Sequence, residues 1–185
     1  MKAIDFLLHR RSARALKDPA PDDAMLELIL ESAARAPDHG RLRPWSFIVI
    51  RGAGRARFGD LLADHLRRTH AAMSDETLQR EREKAFRAPL IIVVTAICNT
   101  FVKVPTVEQV VAAGAAAQNI MLATFALGFN AMWRTGTAAY DEALKSALGL
   151  EPKDAVIGFI YVGTEVAGGP PMRQTPHYRV QYWDE

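Results

Sequence analysis

The sequence predicts an α+β fold, a sheet covered by helices. Three observations carry this. Runs of bulky and β-branched apolar residues at 45–51, 90–97, 129–134 and 155–163 read as strands. Longer stretches between them place apolar residues three and four apart, the helical spacing. Prolines, glycines and capping Ser/Asp residues punctuate the boundaries. The 185 residues suit one domain, 1–185, with neither repeat nor linker. A chain of that length buries about 70% of its unfolded surface.

The elements follow in order. Ile4, Leu7 and Leu8 predict a short helix that stops before Arg10. Pro19 and Pro21 interrupt the chain, and Asp22 and Asp23 complement the start of a helix running to about residue 36. Met25, Leu26, Leu28 and Ile29 form its apolar side. After the strand at 45–51, residues 54–73 read as a helix with Phe58, Leu61, Leu62, His65 and Leu66 on one face. Ser74 caps a further helix through residue 87, with Asp75 and Glu76 in its first turn, and Pro89 stops it. The strand at 90–97 leads past Pro105 to a long apolar helix over 107–127. A short strand at 129–134, a short helix at 141–148 ended by Gly149, and the strand at 155–163 complete the order. The proline-rich tail from residue 168 ends in Tyr178, Tyr182 and Trp183. A polar disordered tail carries few aromatics, so this end is expected to pack on something, for instance a partner subunit.

Composition excludes several classes. A net charge of +2, with basic residues scattered among acids as in Glu81-Arg82-Glu83-Lys84, gives no nucleic-acid footprint. The lone Cys98 cannot form an internal disulfide and reads as packing at a strand end. No signal-peptide pattern opens the chain, so a cytoplasmic protein is expected. Residues 109–133 carry no charge and are long enough to span a bilayer. Gln109, Gln118, Asn119 and Asn130 interrupt them and alanine dominates, so the expectation is a helix buried on all sides in a core or dimer.

Some motifs fail. The glycine-bearing turn at 51–59 follows a strand and opens a helix, but Arg57 holds the third glycine position of a dinucleotide-binding turn. His65 and His70 are five apart and do not share a face as metal ligands. No nucleophile motif and no metal site are present, and no catalytic side chain is assigned.

Two segments carry chemistry. Arg10-Arg11-Ser12, with Arg14 close behind, stands at a helix end. Guanidinium groups bind phosphate bidentately and a serine hydroxyl adds a neutral bond, although cations at a helix C-terminus also favour the macrodipole alone. Residues 35–47 crowd Pro37, His39, Gly40, Pro44 and Trp45 into one connection.

Together the two segments resemble the nitroreductase family of flavin enzymes, most closely its minimal members, from residue 4 to about 163. In that family an N-terminal Arg-x-Ser motif grips FMN, and a later loop ending in Pro-Trp reaches the flavin across a dimer interface. Pro37, Pro44 and Trp45 match that loop, whereas Asp38, His39, Leu42 and Arg43 depart from it. The resemblance implies a mixed central sheet, a long helix at a dimer core, and a homodimer with FMN sites shared between subunits. It implies that Arg10, Arg11, Ser12, Arg35 and His39 contact FMN, with Pro37 beside them and Arg14 near the pyrimidine edge. Trp133-Arg134-Thr135-Gly136 matches a segment lining the same site, with Arg134 on the phosphate side. Ala123, Thr124, Phe125, Ala126, Leu127 and Gly128 match a nicotinamide-side segment. The C-terminal basic pair of larger members is missing; only Arg173 and Arg179 stand in the tail. The implied activity is electron transfer from NADH or NADPH through FMN to a nitroaromatic or quinone. A non-enzymatic FMN-storing or regulatory protein is the alternative.

Overall fold

The computed structural model describes residues 3–166 and 178–184. The elements in chain order are α1 (Ala3–His9), β1 (Leu16–Lys17), α2 (Asp23–Ala33), β2 (Trp45–Arg51), α3 (Gly54–Thr69) and α4 (Asp75–Glu83). Then come β3 (Leu90–Ala96), α5 (Thr106–Ala126), β4 (Asn130–Arg134), α6 (Glu142–Ala147) and β5 (Ala155–Glu165). Short 3-10 turns at His39–Arg41, Lys84–Phe86 and Thr137–Tyr140 join them. Capping follows the sequence. Asp22 accepts the Met25 N–H at 2.8 Å, Ser74 that of Thr77 at 3.2 Å and Asp141 that of Leu144 at 2.7 Å.

The sheet runs β1-β5-β3-β2, and β4 lies end to end with β1 along the same edge of β5. Every pairing among the described residues is antiparallel, so the expected mixed sheet is corrected. The reason is topological. The α3–α4 pair returns the chain to the end it left, setting Arg51 opposite Leu90. The single helix α5 then carries it across, so β4 runs parallel to β3. β5 inserts between the two and is antiparallel to both.

β3 is buried along its whole length because both faces are covered. Ile91 and Val93 face Phe58, Leu62 and Leu144. Leu90, Ile92 and Val94 face Ile29, Ala116 and Ile120. The layers are therefore α3, α4 and α6 on one face, and α2 and α5 on the other. Gly59 allows the close approach of α3 to α4, since a Cβ there would lie 2.7 Å from the Arg82 carbonyl oxygen. At the turn before α3, Gly52 has φ 55°, the left-handed region that glycine favours.

Three expectations change. Leu28 was placed on the buried side of α2 but is half exposed, because Leu26, Ile29 and Ala33 form the inward stripe. α5 is not buried all round. Gln109, Ala112, Ala113, Ala116, Ala117, Ile120, Met121 and Thr124 form one buried stripe against α2 and the sheet, while Val107 and Val111 are each 65% exposed. By length and composition this helix passes for a membrane span, yet it packs as a core helix with one face left open. Tyr178, Tyr182 and Trp183 are exposed, so nothing within the described chain covers the aromatic tail. The rest of that tail, with Arg173, lies outside the described residues.

Trp133 of β4 donates its indole N–H to the Ile157 carbonyl at 3.2 Å and lies over Gly158 of β5. A Cβ on Gly158 would stand 2.1 Å from the Trp133 Nε1, so the ring must leave. Gly158→Ala is expected to destabilise the protein by about 1–3 kcal/mol through overpacking and to red-shift the indole emission. Denaturant unfolding followed by tryptophan fluorescence measures both.

Candidate active site

A cavity of about 500 Å³ opens where β4 ends. Its walls come from β4 (Trp133, Arg134), the following turn (Thr135 to Ala138), β5 (Phe159, Tyr161), α3 (Leu62, His65, Leu66) and the α4 end (Glu81, Lys84, Arg87). Strand alternation puts Arg134 on the same face as Phe159 and Tyr161, so the charged residue stands over the aromatic floor. Gly136 turns the chain at the mouth with φ 103° and ψ −178°, a conformation essentially reserved for glycine.

The cavity is electropositive. Arg87 and Arg134 form no ion pair among the described residues, and Lys84 pairs with Glu81 at 2.5 Å. Burial pushes the Tyr161 phenol up to about 12 against the pull of Arg87 and Arg134, so it remains a neutral hydroxyl. At the back, the buried His65 reaches Asp141 through Nδ1 at 3.0 Å and Thr137 Oγ1 through Nε2 at 2.9 Å. Burial raises the Asp141 carboxyl, but bonds from His65, the Leu144 N–H and Arg68 outweigh this and hold it at about 2.

The N-terminal loop runs along the outer edge of β4, where the Ala13 N–H donates to the Ala131 carbonyl at 3.0 Å. The Arg11 guanidinium grips Glu165 with both of its NH groups, and Asn130 donates to the same carboxylate at 2.9 Å. These bonds hold Glu165 below the usual carboxylate range although burial opposes them. Arg11 is thus a tether whose side chain is taken by β5. Arg10 is half buried and without a partner among the described residues, and Ser12 and Arg14 are exposed. The fold sets this loop against the start of β4, the strand that ends in Trp133 and Arg134.

The second motif lies elsewhere. Arg35 is exposed and pairs with Glu31 at 3.2 Å. His39 Nδ1 meets Glu108 at 2.5 Å, and Pro37, Asp38 and His39 border an apolar groove of about 310 Å³ with Val107, Val111 and Ala115. This is the N-terminal end of α5. The nicotinamide-side segment is at its C-terminal end, where Phe125 meets Phe6 of α1 at 5.2 Å between centroids. There Ala126 and Gly128 are exposed, and Ala123, Phe125 and Leu127 are half buried. Thr124 is fully buried, with no hydrogen-bond partner for its hydroxyl. A helix roughly 30 Å long therefore separates His39 from the 123–128 segment within one chain.

Sequence reasoning missed Lys84, Arg87, Tyr161, His65 and Thr137. Lys84 read as part of a solvated face and His65 as one more member of an apolar stripe. A titratable residue within a stripe of Phe58, Leu62 and Leu66 was the available signal.

Comparison with known proteins now applies. The chain matches the nitroreductase family model over residues 7–164. It is 40% identical over 164 residues to YdjA of Escherichia coli K12, named as an inferred NAD(P)H nitroreductase, covering 89% of this chain and 88% of that one. An inferred NAD(P)H nitroreductase of Haemophilus influenzae is 38% identical over 89% of each chain. Among solved structures, a nitroreductase-type protein from Desulfovibrio desulfuricans in complex with FMN is 30% identical, with a TM-score of 0.70 and coverage of 93% and 91%. A nitroreductase-like protein from Bacillus cereus superposes with a TM-score of 0.80 at 22% identity, covering 95% and 92%. The fold is that of the nitroreductases, and this chain belongs to the nitroreductase family.

The Asp141 network makes a pH prediction. A carboxyl held at about 2 contributes its full stabilisation above the unfolded range, about pH 4, and loses it as pH falls through about 2. Asp141→Asn is expected to lower stability by about 2 kcal/mol at neutral pH, with the gap closing between about pH 4 and pH 2. Urea unfolding across that range checks it.

Proposed function

We propose that this protein is a cytoplasmic, homodimeric FMN oxidoreductase. It takes electrons from NADH or NADPH and delivers them to a planar, electron-poor acceptor such as a nitroaromatic or quinone. The observation that carries this reading is the cationic cavity at the end of β4, the strand whose start holds the loop bearing Arg10. A cavity of about 500 Å³ lies within the usual range for cofactor sites. Its apolar walls suit a flat ring, and its cations suit a ligand that gains negative charge. The FMN complex of a relative 30% identical, and the names of the relatives at 40% and 38%, support the choice of cofactor and donor.

Bound FMN supplies the redox chemistry, accepting hydride and passing electrons on. The chain supplies grip and field. Arg10 and Ser12 hold the phosphate and ribityl end, with the Arg11 backbone beside them. Arg134 lies on the phosphate side, Thr135 and the Trp133 backbone line the ring, and Lys84, Arg87 and Arg14 stabilise negative charge at its edge. Residues 123–128 border the nicotinamide side. Arg35, Pro37 and His39 complete the site from the partner subunit. A two-fold axis at the middle of α5 that packs two such helices antiparallel through the open face of Val107, Val111, Gln118 and Leu122 sets the N-terminal end of one against the C-terminal end of the other. That arrangement unites the halves that one chain holds apart.

The purified protein is expected to be yellow, to release FMN and not FAD, to bleach with NAD(P)H without oxygen, and to recover its colour with a nitroaromatic or quinone. Bound flavin that NAD(P)H leaves yellow would establish the storage reading instead. Arg10→Ala is expected to weaken FMN binding about tenfold to a hundredfold, the value of a charge-assisted bond, as read by titrating FMN into the apoprotein.

The shared site has its own test. A charge at Ala116 would strike the protomer's own core, since Ala116 is fully buried there. The informative variant is Val111→Glu on the open face. Light scattering coupled to flavin absorbance should show a folded monomer without FMN; a monomer that keeps FMN at wild-type affinity contradicts the model.

A further inference from the structure

The cavity floor contains a chain of hydrogen bonds that the cofactor contacts do not use. His65 is 6% exposed. Its Nδ1 faces Asp141 Oδ2 at 3.0 Å, and its Nε2 faces Thr137 Oγ1 at 2.9 Å. Both His65 and Thr137 line the cavity, and Thr137 is exposed. The chain thus begins at an ionised carboxylate and ends on a hydroxyl open to the ligand space.

Each member fixes the next. An ionised Asp141 only accepts, so His65 Nδ1 carries a hydrogen and donates it. Proton exchange is left to Nε2. When Nε2 is bare it accepts the Thr137 O–H, and the hydroxyl shows the cavity only its lone pairs. When Nε2 is protonated it donates to Thr137 Oγ1, and the hydroxyl hydrogen turns outward. One proton therefore converts Thr137 from an acceptor facing the cavity into a donor.

The surroundings make that proton matter. Arg68 of α3 shares Asp141 at 2.8 Å. Across the cavity stand Arg134 of β4, the neutral Tyr161 of β5, the paired Glu81 and Lys84, and Arg87. Asp141 caps α6 through Leu144 without needing His65.

We propose that His65, Asp141 and Thr137 form a proton-coupled hydrogen-bond donor for the ligand in this cavity, with His65 and Asp141 positioning Thr137. The inference rests on the flavin reading above. A hydride delivered by NAD(P)H brings one negative charge into the cavity. A solvent proton bound at His65 Nε2 offsets it, and the Thr137 hydroxyl then donates to the electron-rich ring edge. Apart from the N–H bond at His65, no covalent bond of the protein forms or breaks.

The test uses FMN-loaded protein and reads affinity and potential, not turnover. Thr137→Val is expected to bind oxidised FMN within about twofold of wild type and reduced FMN roughly threefold to tenfold more weakly, the value of a neutral hydrogen bond. Thr137→Ser should restore the reduced-state affinity. In wild type the flavin potential should fall with pH more steeply than in His65→Gln, by about 30 mV per pH unit, one proton per two electrons. Flavin that binds and reduces identically in all four proteins, at every pH, overturns this inference and leaves the oxidoreductase reading standing. Protein that binds no flavin overturns both. A Thr137→Ser variant that behaves like Thr137→Val reduces the network to packing and overturns the inference.

Discussion

The insertion of β5 between β3 and β4 is the constraint on which the site depends. β3 and β4 run parallel after the α5 crossover, and an antiparallel strand between them satisfies the backbone groups facing inward on both. Each piece of the site then rests on β5. Gly158 seats Trp133, Phe159 and Tyr161 floor the cavity, and Glu165 fastens the N-terminal loop through Arg11. β4 has only five residues, and its end can be placed against the helices only because a strand of eleven residues splints it.

Polarity follows from the same layering. Alternation along β4 and β5 sends Ala131, Trp133 and Ile160 toward α2 and α5. Met132, Phe159 and Tyr161 point toward α3 and α6. The cavity lies on this second face, where the end of α4 brings Lys84 and Arg87 over the strand ends. The cations meet apolar walls there without any long insertion to carry them.

Much of the fold was legible because periodicity and punctuation agreed. The strand at 45–51 has the residues expected of it, and the helix starting at Asp75 begins behind its predicted cap, Ser74. Pairing was not legible. β1 has two residues, too few for any periodic signal. The antiparallel sheet depends on where β5 inserts, which no local pattern encodes. Leu28 was misread because the apolar cluster at the start of α2 is wider than the stripe that its contact with α5 can bury. The site divided in the same way. Arg10 and Trp133–Gly136 were visible as motifs, and the fold sets the loop of the first against the start of the strand that leads to the second. Arg11 also stood out, but its partner lies 154 residues away, so its role as a tether could not be read. Lys84, Arg87 and Tyr161 come from segments with no motif and become neighbours only through tertiary packing.

That long tether also orders events during synthesis. Arg11 is made 154 residues before Glu165, which with the β5 edge holds the loop in place. Domains emerge from the ribosome N-terminal end first, and contacts distant in sequence form late. The nascent chain therefore carries this loop unanchored until β5 has been made. Until β5 closes, the loop has no fixed position, and its final shape belongs only to the finished sheet.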